Sequence, residues 1–152
     1  MAASGAFASA RAACDPKKSS KPHRLSAVKT PVSTPHAPNP AGPYSQAVRA
    51  GNLLFIAGQI PIDPVTGDLI GGDITVQARR ALDNIAAVLK AGGLSMADVV
   101  RTTVFLADMN DAPAMNEIYG HYFPQPYPTR ATVQVARLPR DVRIEIDAIA
   151  AY

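Results

Sequence analysis

The closing stretch Val142-Arg143-Ile144-Glu145-Ile146-Asp147-Ala148-Ile149-Ala150 settles what kind of layer this chain builds. Successive side chains of a strand point to opposite faces, so Val142, Ile144, Ile146 and Ala148 share one face and Arg143, Glu145 and Asp147 the other. A face carrying two acids on an otherwise apolar strand either meets solvent or lines a polar cleft. Just upstream, across Arg137-Leu138-Pro139-Arg140-Asp141, the run Arg130 to Ala136 predicts a neighbouring strand. Its entry is fixed by Tyr127-Pro128, because the pyrrolidine ring locks its own torsion and pushes the preceding residue out of the helical region. Arg130 thus opens a strand at a defined angle. Its planar, permanently charged fork suits two-point contact with a carboxylate or phosphate. An ordinary strand-end ion pair is the alternative reading of Arg130, and this stretch alone leaves both open.

Working outward, Tyr44 to Arg49 and Leu53 to Gln59 read as a hairpin across Ala50-Gly51-Asn52. Ile60 to Gly72 is a loop marked by Asp63-Pro64-Val65-Thr66-Gly67. Asp73 or Thr75 can cap a helix whose apolar positions Ala78, Ala81, Leu82, Ile85, Val88 and Leu89 recur at three-and-four spacing, and Gly92-Gly93 ends it. Ser95-Met96-Ala97-Asp98 is a one-turn capped start. Val99 to Leu106 follows as a strand rich in β-branched residues. A second helix runs from about Asp111 to Tyr122, and Pro124, Pro126 and Pro128 forbid helix beyond it.

The order is two strands, helix, strand, helix, two strands, an α+β layer with both helices on one face of a mixed sheet. Val104, Val133, Val135 and their neighbours leave apolar side chains on both faces of several strands, yet two helices can cover only one. Self-association would cover the other and form clefts between subunits. The alternative is a face half wetted by Arg101, Thr102 and Thr103.

The chain has 152 residues, enough for a core in one domain. Residues 1–30 carry +5 and residues 31–152 carry −2, so the basic pI belongs to the leader and the domain has no electrostatic footprint for nucleic acid. The leader is rich in Ala, Ser and Lys/Arg and almost free of acids, the composition of a mitochondrial or plastid transit peptide. A disordered basic tail on a cytoplasmic protein is the alternative. Residues 31–43 are dense in proline and read as an extended lead-in, with the fold starting after them. The lone Cys14 lies outside the fold and makes no internal disulfide. His23, His36 and His121 have no ligand spacing, so no metal is expected. No apolar run reaches the roughly 20 residues that cross a bilayer, and no membrane partner is expected.

Several motifs carry a family pattern. Gly42-Pro43-Tyr44-Ser45-Gln46-Ala47, Gly58-Gln59-Ile60-Pro61 with Thr66-Gly67, Gln77-Ala78 to Leu82-Asp83-Asn84, Thr102-Thr103-Val104-Phe105-Leu106 with Asp108-Met109-Asn110, Asn116 with Tyr119 and Phe123, Pro128-Thr129-Arg130, Val135-Ala136-Arg137-Leu138-Pro139 and Ile144-Glu145-Ile146 occur in order. Across roughly residues 33 to 150 the chain resembles the RidA (YjgF) family. The resemblance implies a chorismate-mutase-like subunit, a homotrimer with sites at subunit interfaces, and cofactor-free hydrolysis of 2-imino acids or their enamines, such as 2-iminobutanoate and 2-iminopropanoate, to 2-oxo acids and ammonia.

Carried over by residue, the resemblance makes Arg130 the holder of the substrate carboxylate and Glu145 the acid that positions a water. Gly58 and Thr132 offer main-chain groups, Tyr44 lines the cleft, Asn116 is a polar neighbour, and Ala57 adjoins Gly58. Thr132 stands where many members have cysteine, and Ala57 where many have serine. The residues also allow plainer roles: Glu145 paired with Arg143 or Arg137, Tyr44 as a packing aromatic, Asn116 as a local hydrogen-bonder. Two other functions stay open, a trimer that binds small carboxylates without turnover and, less compatible with the charge, RNA cleavage.

Overall fold

A computed structural model describes residues 28–152; the leader falls almost wholly outside the described residues. Six strands form one sheet: β1 (Thr30–Val32), β2 (Ala47–Ala50), β3 (Leu53–Gln59), β4 (Val99–Leu106), β5 (Thr129–Gln134) and β6 (Ile144–Ala151), in the order β1-β2-β3-β6-β4-β5. Only β4 and β5 run parallel. They are the strands joined through a helix, as a crossover connection requires.

Helix α1 (Ile74–Ala91) starts where Asp73 accepts from the Thr75 and Val76 amides and stops at Gly92. Its buried stripe includes Ala78, Ala81, Leu82, Ile85, Val88 and Leu89, all read from the spacing. Helix α2 (Ala112–Tyr122) buries Met115, Ile118 and Tyr119. Both pack on one side of the sheet, over Leu54, Ile56, Val104, Leu106, Ile144, Ile146, Ala148 and Ala150. Truncating a fully buried leucine such as Leu82 to alanine in a core of this kind costs about 2–5 kcal/mol.

Two sequence readings are corrected. The fold does not wait for the end of the proline-rich lead-in, because β1 pairs with β2 at Thr30↔Arg49 and Val32↔Ala47. The first hairpin strand is Ala47–Ala50, not Tyr44 to Arg49, since Gly42 to Gln46 are turned into a loop. Of the valines expected to spread over both faces, Val104 is fully buried under the helices. The open face is dressed by Phe55, Val133, Arg101, Thr103, Asp147 and Ile149, with Phe55 and Val133 each about 40 % exposed.

Candidate active site

The sheet carries a cation corner on one side and a carboxylate cleft on the other. Arg130 pairs in register with Thr102, whose side chain is buried under α2, so both point to the helix-covered face. There the Arg130 guanidinium lies 4.6 Å from the centroid of the Tyr119 ring. The Thr102 and Tyr119 hydroxyls share a 2.7 Å hydrogen bond, and the Phe123 ring lies 4.3 Å from that of Tyr119, so the aromatic platform is fixed from two sides. Burial pushes the Tyr119 phenol above its ordinary pKa, against opposing effects of Thr102 and Arg130. A tyrosine so held neutral is a surface for a cation rather than a base. Asn116, Gly120, Tyr127 and Pro128 complete a hollow of about 400 Å³ around Arg130. No carboxylate of the described residues pairs with Arg130.

Glu145 occupies the opposite face. Its neighbours in β6, Ile144 and Ile146, are buried beneath the helices, and alternation sends Glu145 the other way. Across from it β3 is irregular: the pairing moves from Ile56↔Ala148 to Gln59↔Ile146, which places one extra residue in β3 at Ala57-Gly58. Such a bulge takes backbone out of the regular ladder. Glu145 lies directly against Gly58, and a Cβ there would push its carboxylate aside, so glycine is what lets the carboxylate sit against the bulge. Burial first, and then the charge of Asp147, push the Glu145 carboxyl above its ordinary pKa.

Glu145 sits in a cleft of about 500 Å³ with Tyr44, Ala57, Gly58, Ile60 and Ile62. Its far wall is the loop before β2, held by Gln46. The Gln46 side chain, 3 % exposed, accepts from the Thr34 amide at 2.7 Å and donates to the carbonyls of Thr34, Ala37 and Pro38 at 3.0, 3.0 and 2.8 Å. The Tyr44 hydroxyl accepts from the Ala41 amide at 3.1 Å, which leaves its own proton for another acceptor. Asn84, buried on α1, donates to the Ile60 and Ile62 carbonyls and fixes the other rim.

Of the residues singled out in the sequence, Arg130 and Asn116 share the corner, whereas Tyr44, Ala57, Gly58 and Glu145 share the cleft. Thr132 pairs with Val104 on the helix side, and its hydroxyl is buried without a hydrogen-bond partner. Arg130 and Glu145 are not on adjacent strands as the chain order suggested, because β4 lies between them. The plain ion-pair reading of Glu145 also fails: Arg137 engages Asp141 at 2.6 and 3.0 Å, and Arg143 engages Asp111 at 2.9 and 2.8 Å. Sequence reasoning missed Gln46 and Tyr119 as builders of the two regions, although both stand within the quoted motifs. No group of three or more His, Cys, Asp or Glu among the described residues is placed to hold a metal ion. No helix among them is long and apolar enough to cross a membrane.

The family model described as Endoribonuclease L-PSP matches residues 34–152. The chain belongs to the RidA/YjgF family. A RutC family protein of Pyrococcus horikoshii is 57 % identical over 123 residues, covering 81 % of this chain and 98 % of that one. The "putative reactive intermediate deaminase TdcF" of Escherichia coli is 48 % identical over 122 residues, covering 78 % and 94 %. A crystal structure of TdcF with bound serine superposes with a TM-score of 0.77 at 44 % identity, covering 81 % of this chain and 98 % of that one. RidA from an Antarctic Psychrobacter gives a TM-score of 0.78 at 41 % identity, covering 81 % and 99 %. The mixed sheet with two helices on one face is therefore the RidA fold.

Proposed function

We propose that this protein hydrolyses 2-imino acids such as 2-iminobutanoate and 2-iminopropanoate to 2-oxo acids and ammonia, at a site that two copies of the chain build together. One observation carries the reading. A cation without a carboxylate partner and a half-buried acid without a basic partner, among the described residues, lie on opposite faces of one sheet. Each is half of a carboxylate-binding hydrolytic site. Packing the open sheet face of one copy beside the Arg130 corner of another joins the halves, and the family's trimeric arrangement gives that packing closed symmetry. The deaminase name borne by TdcF supports the same reaction class.

The chemistry asks little of the residues. The substrate carboxylate docks on the Arg130 fork against Tyr119. Glu145, as carboxylate, takes a proton from a water while the water oxygen bonds to the imine carbon. Starting from the iminium, returning that proton to nitrogen makes the ammonium leaving group, and Glu145 then takes the hydroxyl proton as the C–N bond breaks, so ammonia leaves, the carbon keeps its oxygen as a ketone and the last proton passes to ammonia. Tyr44 can donate its free proton to the water or the developing oxygen, and the peptide groups at Gly58 and Thr132 orient the substrate. Holding the reactants in line supplies much of the rate. Residues 31–152 carry −2, which gives the endoribonuclease description of the family model no electrostatic support here.

The test couples the purified protein to a pyridoxal-phosphate threonine dehydratase and follows hydrolysis of the released imine. Arg130→Ala and Glu145→Gln should each lower kcat/KM at least about tenfold, the scale expected when a charged partner enclosed between two packed copies is lost. Wild-type protein that binds 2-oxobutanoate without accelerating imine hydrolysis would make it a carboxylate-binding protein instead. The acid-poor basic leader supports organellar import as part of the proposal, checked by where a fluorescent fusion of residues 1–30 accumulates; a cytosolic signal would contradict it.

A further inference from the structure

We propose that Arg140 reads the far end of the substrate and selects 2-imino acids that carry a second, side-chain carboxylate; this rests on the deaminase reading of the Glu145 cleft. Arg140 lines that cleft together with Glu145, Ile60, Ile62 and Pro139. Its flanking arginines are spoken for: Arg137 is clamped on Asp141 and Arg143 on Asp111, both through two hydrogen bonds. Arg140 pairs with no carboxylate of the described residues. Its guanidinium reaches only the Gly67 carbonyl, at a long 3.4 Å. A permanently charged fork at the rim of a binding cleft, held by one weak neutral contact, is available to an incoming anion.

The backbone beneath it is set with care. Arg140 and Asp141 have φ of 57° and 58°, two successive non-glycine residues in the left-handed region. That conformation costs free energy and persists only where surroundings impose it. Here they do: the Asp141 amide bonds to the Leu138 carbonyl at 3.1 Å, the Asp141 carboxylate is gripped by Arg137, and Leu138 is buried. The turn fixes where the Arg140 side chain leaves the chain. With the first carboxylate on Arg130 and the reacting carbon beside Glu145, the walls of Ile60, Ile62 and Pro139 take the methylene chain. Arg140 then receives the terminal carboxylate.

The full-length, assembled protein is titrated calorimetrically with 2-oxobutanoate and with 2-oxoglutarate, the product forms of a neutral and an acidic substrate. Turnover is compared on imines generated by amino-acid oxidases from leucine and from glutamate. The wild type should bind 2-oxoglutarate at least about tenfold more tightly than 2-oxobutanoate, the scale of a charge-assisted contact. Arg140→Gly removes the fork and suits the left-handed backbone, which glycine adopts without strain. It should reduce that ratio to within about twofold, while Arg140→Lys, which keeps the charge, should retain a preference. A ratio near one in the wild type, or an unchanged ratio in Arg140→Gly, overturns the inference. If the wild type binds 2-oxobutanoate and hydrolyses the neutral imine yet shows no acidic preference, this inference alone falls. If it neither binds the acids nor turns over either imine, the deaminase reading falls with it.

Discussion

The Arg130 corner and the Glu145 cleft hold the two charges of the proposed site, and they are built in opposite ways. The corner is made of regular structure: a parallel strand pair, one helix and an aromatic platform locked by a 2.7 Å hydroxyl pair. The cleft is made of exceptions: a bulge at Ala57-Gly58, a loop tied down by one glutamine, and two left-handed residues at its rim. In the proposed reaction, regular structure positions a clamp for the group that every 2-imino acid shares, its carboxylate. Irregular backbone shapes the space where substrates differ and water must be placed. Under the proposed mechanism, separation of the two across the sheet would tie chemistry to assembly, since neither region holds both charges.

Breaking one side should leave the other intact. The largest further loss is expected from Gly58→Ala, because its Cβ displaces the Glu145 carboxylate. We expect a fall of about tenfold or more in kcat on imine hydrolysis, with 2-oxo acid binding at the Arg130 corner changing far less. Equal losses in both readouts would show that the two regions are not separable. Gln46→Ala comes next: it leaves three carbonyls and one amide of the cleft wall without their partner, so thermal unfolding should reveal about 2 kcal/mol of lost stability. An unshifted melting curve would contradict the role given to this side chain.

The smallest effect concerns pH. Burial and Asp147 hold the Glu145 carboxyl above its ordinary value. Between the unfolded and the raised folded pKa the native state binds more protons, so stability falls as pH rises through that window and is unaffected by this group below it. In the proposed mechanism activity runs the other way, because the carboxylate is the working form. The acidic limb of kcat/KM should lie above the usual glutamate range, and Asp147→Asn should move it to lower pH. A limb that stays put in Asp147→Asn would remove Glu145 from the proton-transfer step.

Much of the fold was legible because its signals are local: the α1 stripe, the alternation of β6 and the proline stop after α2. Arg130 was legible too, as a cation opening a strand behind Tyr127-Pro128. Its relation to Glu145 was misread because consecutive strands invite pairing, yet the helix between β4 and β5 makes those two the parallel neighbours. The edge strand β1 was hidden by composition, as proline sits in it without cost only where one side is unpaired. Gln46 and Arg140 could not be read because their importance lies in partners, or a missing partner, far along the chain.

One measurement tests the central claim, that two copies build each site. Arg130→Ala and Glu145→Gln subunits, each inactive alone, are unfolded together, refolded at equal ratio and assayed for imine hydrolysis. Random assortment places an intact Arg130 beside an intact Glu145 at about a quarter of subunit junctions, so about a quarter of wild-type activity should return. A mixture that stays as inactive as its components, with assembly confirmed by its mass in solution, would contradict the account.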